Sequence, residues 1–142
     1  MGEDTATTET PRELYERFLR LIAEDRWDEL PELYAEDAVV EQPYARPEPR
    51  RILGREALRA RFAIADELPI RLRPVDVAVH ETGDPEVIVA EFDYDVLLAA
   101  TGERRLRTAN VIVLRIRHGR IVRSRDFHDT EAIGAVVAAA SG

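Results

Sequence analysis

Two hydrophobic periods divide the chain. Up to about residue 65, apolar side chains return every three or four positions, the spacing of one buried helix face. Leu14, Phe18, Leu21 and Ile22 mark the first such stretch. Thr10-Pro11-Arg12-Glu13 precedes it and reads as a helix start: the Thr caps, the Pro takes the first helical position, and Glu13 can close a capping box. Trp27, Leu30, Leu33 and Tyr34 predict a second short helix over 27–34. A third opens at Gly54-Arg55-Glu56-Ala57-Leu58 and reaches Ala65. Residues 37–42 read as a short strand, and Pro43, Pro47 and Pro49 make 43–49 a loop.

Beyond residue 70 the period falls to two. Four strands are predicted over 70–81, 86–98, 104–117 and 120–128, with turns at Gly83-Asp84-Pro85, Thr101-Gly102 and His118-Gly119. Short connections make these an antiparallel meander. Residues 1–9, polar and rich in Thr and Glu, are expected to be a disordered tail. The folded domain is expected to span 10–130, with 131–142 a C-terminal tail or short helix. Helices followed by strands in one small unit predict an α+β fold. Its N-terminal helices would pack on a curved antiparallel sheet and enclose one pocket, giving a cone.

Strand parity says which side chains face that pocket. On 86–98 the even positions are Ile88, Ala90, Phe92, Tyr94 and Val96; on 104–117 they include Thr108, Asn110, Ile112, Leu114 and Ile116. The even, mostly apolar face is the concave one. For the last strand, a three-residue turn at Arg117-His118-Gly119 turns Val122, Ser124, Asp126 and His128 inward and sets Asn110 opposite Asp126. A two-residue turn would bury Arg123 and Arg125, which is very costly for unpaired cations. Outside, Arg115, Arg117, Arg123 and Arg125 are expected near Glu91, Asp93 and Asp95. Val75, Val77, Val79, Val87, Val89, Val111 and Val113 would form an apolar convex patch, which predicts a homodimer through the sheet.

Composition then removes whole classes of function. The net charge of -8 is wrong for binding nucleic acid. With no cysteine there is no disulfide and no thiolate nucleophile. His80, His118 and His128 lack metal-ligand spacing, so no metal and no cofactor are expected. No apolar run is long enough to span a membrane. The acidic start Met1-Gly2-Glu3-Asp4 is unlike a secretory signal, so a cytoplasmic location is the expectation.

The passage Tyr34-Ala35-Glu36-Asp37-Ala38-Val39-Val40-Glu41-Gln42-Pro43, then Gly54-Arg55-Glu56-Ala57-Leu58, and finally Gly119-Arg120-Ile121 through Arg125-Asp126-Phe127-His128-Asp129 resembles the SnoaL-like proteins. Their superfamily, the nuclear transport factor 2-like proteins, also holds ketosteroid isomerases, polyketide cyclases and limonene-type epoxide hydrolases. The resemblance covers roughly residues 11–130 and implies the cone-shaped fold more firmly than a reaction. It implies that the isomerase base falls on Gln42, the oxyanion-hole Tyr on Phe18 and the protonated Asp on Ile112, so all three roles are vacant. Asp126 looks like the counterpart of the acid that cyclases and epoxide hydrolases place near the end of this sheet. The second Asp of the epoxide hydrolases has no inward match, because Asp93 and Asp95 point outward by parity.

These readings converge on a hydrophobic, oxygen-bearing small molecule. Asp126 would be the catalytic base, with His128 tuning or relaying the proton. Gln42 and Asn110 would hold a carbonyl oxygen, while Tyr44, Phe18, Phe62, Ile112 and Ser124 would line the substrate site. Isomerisation or cyclisation by proton transfer at carbon is the expected reaction. Two alternatives stand beside it: a ligand-binding module without turnover, or a dimeric interaction domain whose cup is filled by Phe18, Phe62, Phe92 and Tyr94.

Overall fold

The computed structural model describes residues 9–141. The predicted N-terminal tail lies outside the described residues except for Glu9, which is tied to Arg17 by two hydrogen bonds of 2.8 and 2.7 Å. Helix α1 spans Pro11–Ala23, and its capping box forms as its sequence predicts. The second helical segment, Trp27–Leu33, is a 3-10 helix containing Pro31. Tyr34 already belongs to strand β1 (Tyr34–Gln42), which therefore starts earlier than its apolar pattern suggests. After the proline loop comes a short strand absent from the sequence reading, β2 (Arg50–Leu53), and then α2 (Arg55–Asp66). Strands β3 (Ile70–Glu81), β4 (Val87–Leu98), β5 (Arg104–Arg117) and β6 (Arg120–His128) follow, and the chain closes with α3 (Thr130–Ser141).

The six strands form one open sheet in the order β2-β1-β6-β5-β4-β3. All neighbours run antiparallel except β1 and β6, which are parallel. That pairing corrects the purely antiparallel expectation. It arises because the chain enters the sheet from the helical layer, and only the later strands are joined by hairpins. Core side chains from α1 (Leu14, Phe18, Ile22), the 3-10 helix (Leu30, Leu33) and the concave sheet face (Ile88, Val96, Leu114, Ile121) form one cluster. Ile133, Val136 and Val137 of α3 pack against it.

Two bulges set the parity of the sheet. His118 and Gly119 both have positive φ, 53° and 72°, so β5 and β6 are joined by a two-residue turn and not by three residues. Ile116 pairs with Ile121, but Arg115 pairs with Arg123, which leaves Val122 as the extra residue. Ile121 is therefore the inward residue beside the turn, fully buried, in place of Val122. Past the bulge, Arg123 and Arg125 turn out, and Ser124, Asp126 and His128 turn in. The same shift sets Ile112 opposite Asp126 and Asn110 opposite His128, correcting the expected Asn110–Asp126 pair.

On β3 the register slips between Val75 and Ala78, where Asp76 has φ 55°. Val79 then pairs with Ala90 and is buried in the core, so it leaves the outer patch. Ion pairs on the outer face also differ from expectation. Arg115 and Arg117 meet Glu86 at the strand end, while Arg123 and Arg125 meet Glu41. Glu91 pairs with His80, and Asp95 with Arg107 and Arg104. The register explains this: Arg115 lies across from Val87, next to Glu86, whereas Glu91 lies across from Val111. Among the described residues no helix is long and apolar enough to cross a membrane.

Gly54 is where the chain turns from β2 into α2. Its φ of 90° with ψ of 153° is a region that only glycine enters readily. Its N–H donates to the Ala38 carbonyl at 2.8 Å, and an added Cβ would stand 3.4 Å from the Glu36 carbonyl oxygen. Gly54→Ala should therefore lower stability by about 1–3 kcal/mol in urea denaturation, most of it backbone strain; an unchanged midpoint would contradict this account.

Candidate functional site

Between the helices and the concave sheet lies a cavity of about 890 Å³. Its wall is largely aromatic. Tyr15 stacks on Phe18 with centroids 5.0 Å apart, and Phe62 meets Phe18, Trp27 and Tyr34 at 6.5, 6.1 and 5.9 Å. Phe92 and Tyr94 continue the wall on β4, 5.2 Å apart and edge to face. The cup is thus lined by rings rather than filled by them, against the expectation attached to a vestigial pocket.

Asp126 sits on this wall, half-buried, with its carboxylate desolvated by the surrounding protein. Desolvation raises its pKa from 3.8 to about 6, and a hydrogen bond donated by the Ser124 hydroxyl at 2.5 Å partly opposes the rise. His128, two residues on and on the same face, has its pKa lowered by desolvation and then by the nearby Arg50 cation, so its imidazole is neutral. Gln42 also lines the cavity, and its side-chain oxygen accepts a 2.9 Å hydrogen bond from Arg50.

Of the residues expected at a substrate site, Phe18, Gln42, Phe62, Ile112, Ser124, Asp126 and His128 line the cavity. Asn110 does not. It is buried, its amide donates to the Phe92 carbonyl at 3.2 Å, and its Oδ1 has no partner among the described residues. Tyr44 is 67% exposed and packs edge to face on Phe127 at the outer surface, so it does not line the cavity. Asn110 faces inward but is closed off in the core opposite His128, and Tyr44 projects outward at the start of a loop whose Arg46 and Pro47 do line the cavity.

Three phenols line the cavity that are not among the site residues expected from the sequence, Tyr34 being read there as packing and Tyr94 as a residue of the concave face. Tyr15, Tyr34 and Tyr94 are each less than a tenth exposed, and all line the cavity. None has a side-chain hydrogen bond among the described residues. Burial raises the pKa of all three, and the negative charge of Asp126 adds to each rise. They are protonated donors clustered near one carboxylate. The backbone of Tyr34 is fixed by Arg55, whose guanidinium donates to the Tyr34 carbonyl at 2.9 and 2.7 Å. Parity already puts Tyr94 on the concave face; a buried phenol in search of a partner was the available signal.

This architecture is shared. The SnoaL-like domain family matches residues 15–124, and the chain belongs to that family. An uncharacterised PhzA/B-like protein from Pseudomonas aeruginosa is 36% identical over 114 residues, covering 77% of this chain and 79% of the relative. A solved structure from Bacillus subtilis, named as a candidate isomerase, superposes with a TM-score of 0.77 at 28% identity, covering 91% of this chain and 92% of the other. A candidate polyketide cyclase from Xanthomonas campestris gives 0.70 at 16% identity, with 87% and 93% covered, and speaks to the fold alone. The fold is nuclear transport factor 2-like, the same as that of ketosteroid isomerase-like proteins.

The raised pKa of Asp126 has a cost in stability. Between pH 3.8 and about 6 the folded chain holds a proton that the unfolded chain releases, so stability falls as pH rises through that window. The full penalty, on the order of 2–3 kcal/mol, is present above it. Asp126→Asn should therefore be more stable than wild type at neutral pH, with the difference shrinking towards pH ~4. Urea midpoints across pH would check this; a difference that does not change with pH would contradict it.

Proposed function

We propose that this SnoaL-like chain is an isomerase or cyclase that moves a proton at carbon in a hydrophobic, oxygen-bearing small molecule. The observation that carries the reading is a desolvated carboxylate facing three protonated phenols across an aromatic cavity. Asp126 takes a proton from a carbon next to a carbonyl, breaking the C–H bond and leaving an enolate. Phenol hydroxyls of Tyr15, Tyr34 and Tyr94 donate to the oxygen where the negative charge gathers. This role falls to them instead of Asn110. Protonated Asp126 then returns its proton to the far carbon of a conjugated dienolate, shifting the double bond to give an isomer, or the enolate carbon attacks a second carbonyl, whose π bond opens to an alkoxide that takes the proton from Asp126 as the C–C bond forms. Ser124 holds the carboxylate in place, and neutral His128 can pass a proton to or from it. No step requires a cofactor.

A binding module without turnover is the second reading. It is favoured by Phe18, Gln42 and Ile112 standing where the resemblance implies the ketosteroid isomerase groups. One series separates the two. A thermal-shift screen against polycyclic enones, phenols and epoxides finds a ligand by mass action without assuming a reaction. Solvent deuterium exchange at the ligand's α-carbon, followed by NMR, then reads proton abstraction directly. The exchange rate should rise with pH to a plateau above about 6, as Asp126 ionises. In Asp126→Asn it should fall by roughly 10²–10⁴ with affinity retained. A ligand that binds wild type but exchanges no faster than in Asp126→Asn would leave the binding module.

We also propose that a second copy covers the outer sheet face. Val89 and Val113 pair directly there, Val111 is 38% exposed and Phe127 lies across from it. Light scattering should give twice the 16.1 kDa chain mass, and Val111→Glu should return it to one. A monomeric wild type at micromolar concentration would overturn the dimer.

A further inference from the structure

The chain's 20 cationic residues are all arginine. Most are held by carboxylates on the outer surface: Glu86 takes Arg115 and Arg117, Glu41 takes Arg51, Arg123 and Arg125, and Asp25 takes Arg71 and Arg73. Arg46, Arg50 and Arg61 differ. They come from the proline loop, the start of β2 and the middle of α2, and all three line the cavity. None forms an ion pair among the described residues. Arg50 meets only the neutral oxygen of Gln42, and Arg46 and Arg61 donate no side-chain hydrogen bond among the described residues.

The charge of Arg50 is felt at its neighbours. Desolvation and the neighbouring Arg50 both lower the pKa of Arg61, and Arg50 also lowers that of His128. Arg50 and Arg61 are therefore neighbouring like charges, and Arg46 lines the same cavity, in a chain where 28 acidic residues outnumber the bases. The carboxylates that line the same cavity, Asp126 and Glu131, lie beyond ion-pair distance of all three arginines. A guanidinium offers a rigid fork that fits the oxygens of a carboxylate or phosphate two at a time. The chemistry of this cluster suits an anion.

We propose that Arg46, Arg50 and Arg61 form an anion clamp, which selects ring compounds carrying a carboxylate or phosphate group and sets their orientation in the cavity. The clamp rests on the reading of the cavity as a small-molecule site and adds its substrate class. Orientation follows from the charges. Ionised Asp126 repels an anionic substituent, and the arginines attract it. The charged end of the ligand thus stays with the guanidiniums, while its neutral carbonyl end goes to Asp126 and the three phenols. The rings between them lie against Phe18, Phe62 and Trp27.

Calorimetric titration with naphthoate, naphthyl phosphate and naphthamide tests this, because the three share a ring system and differ in charge. For the wild-type chain the anions should bind about tenfold or more tightly than the amide, with a preference that weakens as salt is raised. Arg50→Gln with Arg61→Gln should bring the anions to within about twofold of the amide and leave amide affinity unchanged. The single variant Arg61→Gln, at an exposed position, should show an intermediate loss if the double variant does not fold. Preference for only one of the anions identifies the group the clamp takes. Equal binding of anions and amide, or a preference that survives in the folded variants, overturns the clamp and leaves the cavity reading standing. If none of the probes binds wild type, both fall together.

Discussion

The extra residue at Val122 sets the sense of the last strand. In a two-residue turn continued without a bulge, Arg123 and Arg125 would enter an apolar cone and Asp126 would lie on the outside in water. With the bulge, one carboxylate goes in and two guanidiniums go out, where Glu41 receives them. Everything particular to the site follows from that choice. The desolvation of Asp126, its bond from Ser124 and the neutral state of His128 all need β6 in this register.

Around that strand the structure divides its labour by material. Ser124, Asp126 and His128 sit on β6, a strand flanked by β1 and β5, where pairing on both sides holds the backbone. Tyr15, Phe18, Trp27 and Phe62 come from α1, the 3-10 helix and α2 and shape the cavity without disturbing any ladder, and Tyr34, Phe92 and Tyr94 complete the wall from β1 and β4. A buried acid opposes folding at neutral pH, and the large apolar cluster beneath it offsets that opposition. On the proposed function, the stability given up at Asp126 holds a proton acceptor where water does not compete for it.

Much of this is legible in the chain, and the gaps have physical causes. The change of period divides helices from strands, and the cost of burying Arg123 and Arg125 places Ser124, Asp126 and His128 inside. That argument works equally well whether the extra residue lies in the turn or at Val122, which is why the inward set holds while the pairing of Asn110 does not. Bulges leave almost no mark on hydrophobic alternation; at Val79 the pattern reads as outward although the residue is in the core. The parallel β1–β6 contact and the short β2 are products of long-range packing and have no local signature. Tyr34 falls on a stripe read as helical packing and Tyr15 lies beside the apolar face of α1, so only their buried hydroxyls without a hydrogen-bond partner among the described residues set them apart.

The C-terminal helix has a different standing from the rest. Residues Ile133, Gly134 and Val137 line the cavity, yet no residue of α3 is fully buried. At Gly134 an added side chain would meet nothing within 4 Å. The volume of the cavity can therefore be reduced from this helix without moving a strand, the aromatic wall or Asp126, and the change from glycine would if anything favour the helix. α3 thus separates two problems: the size of the cavity can be set from this helix while the folding problem, solved by the sheet, stays the same.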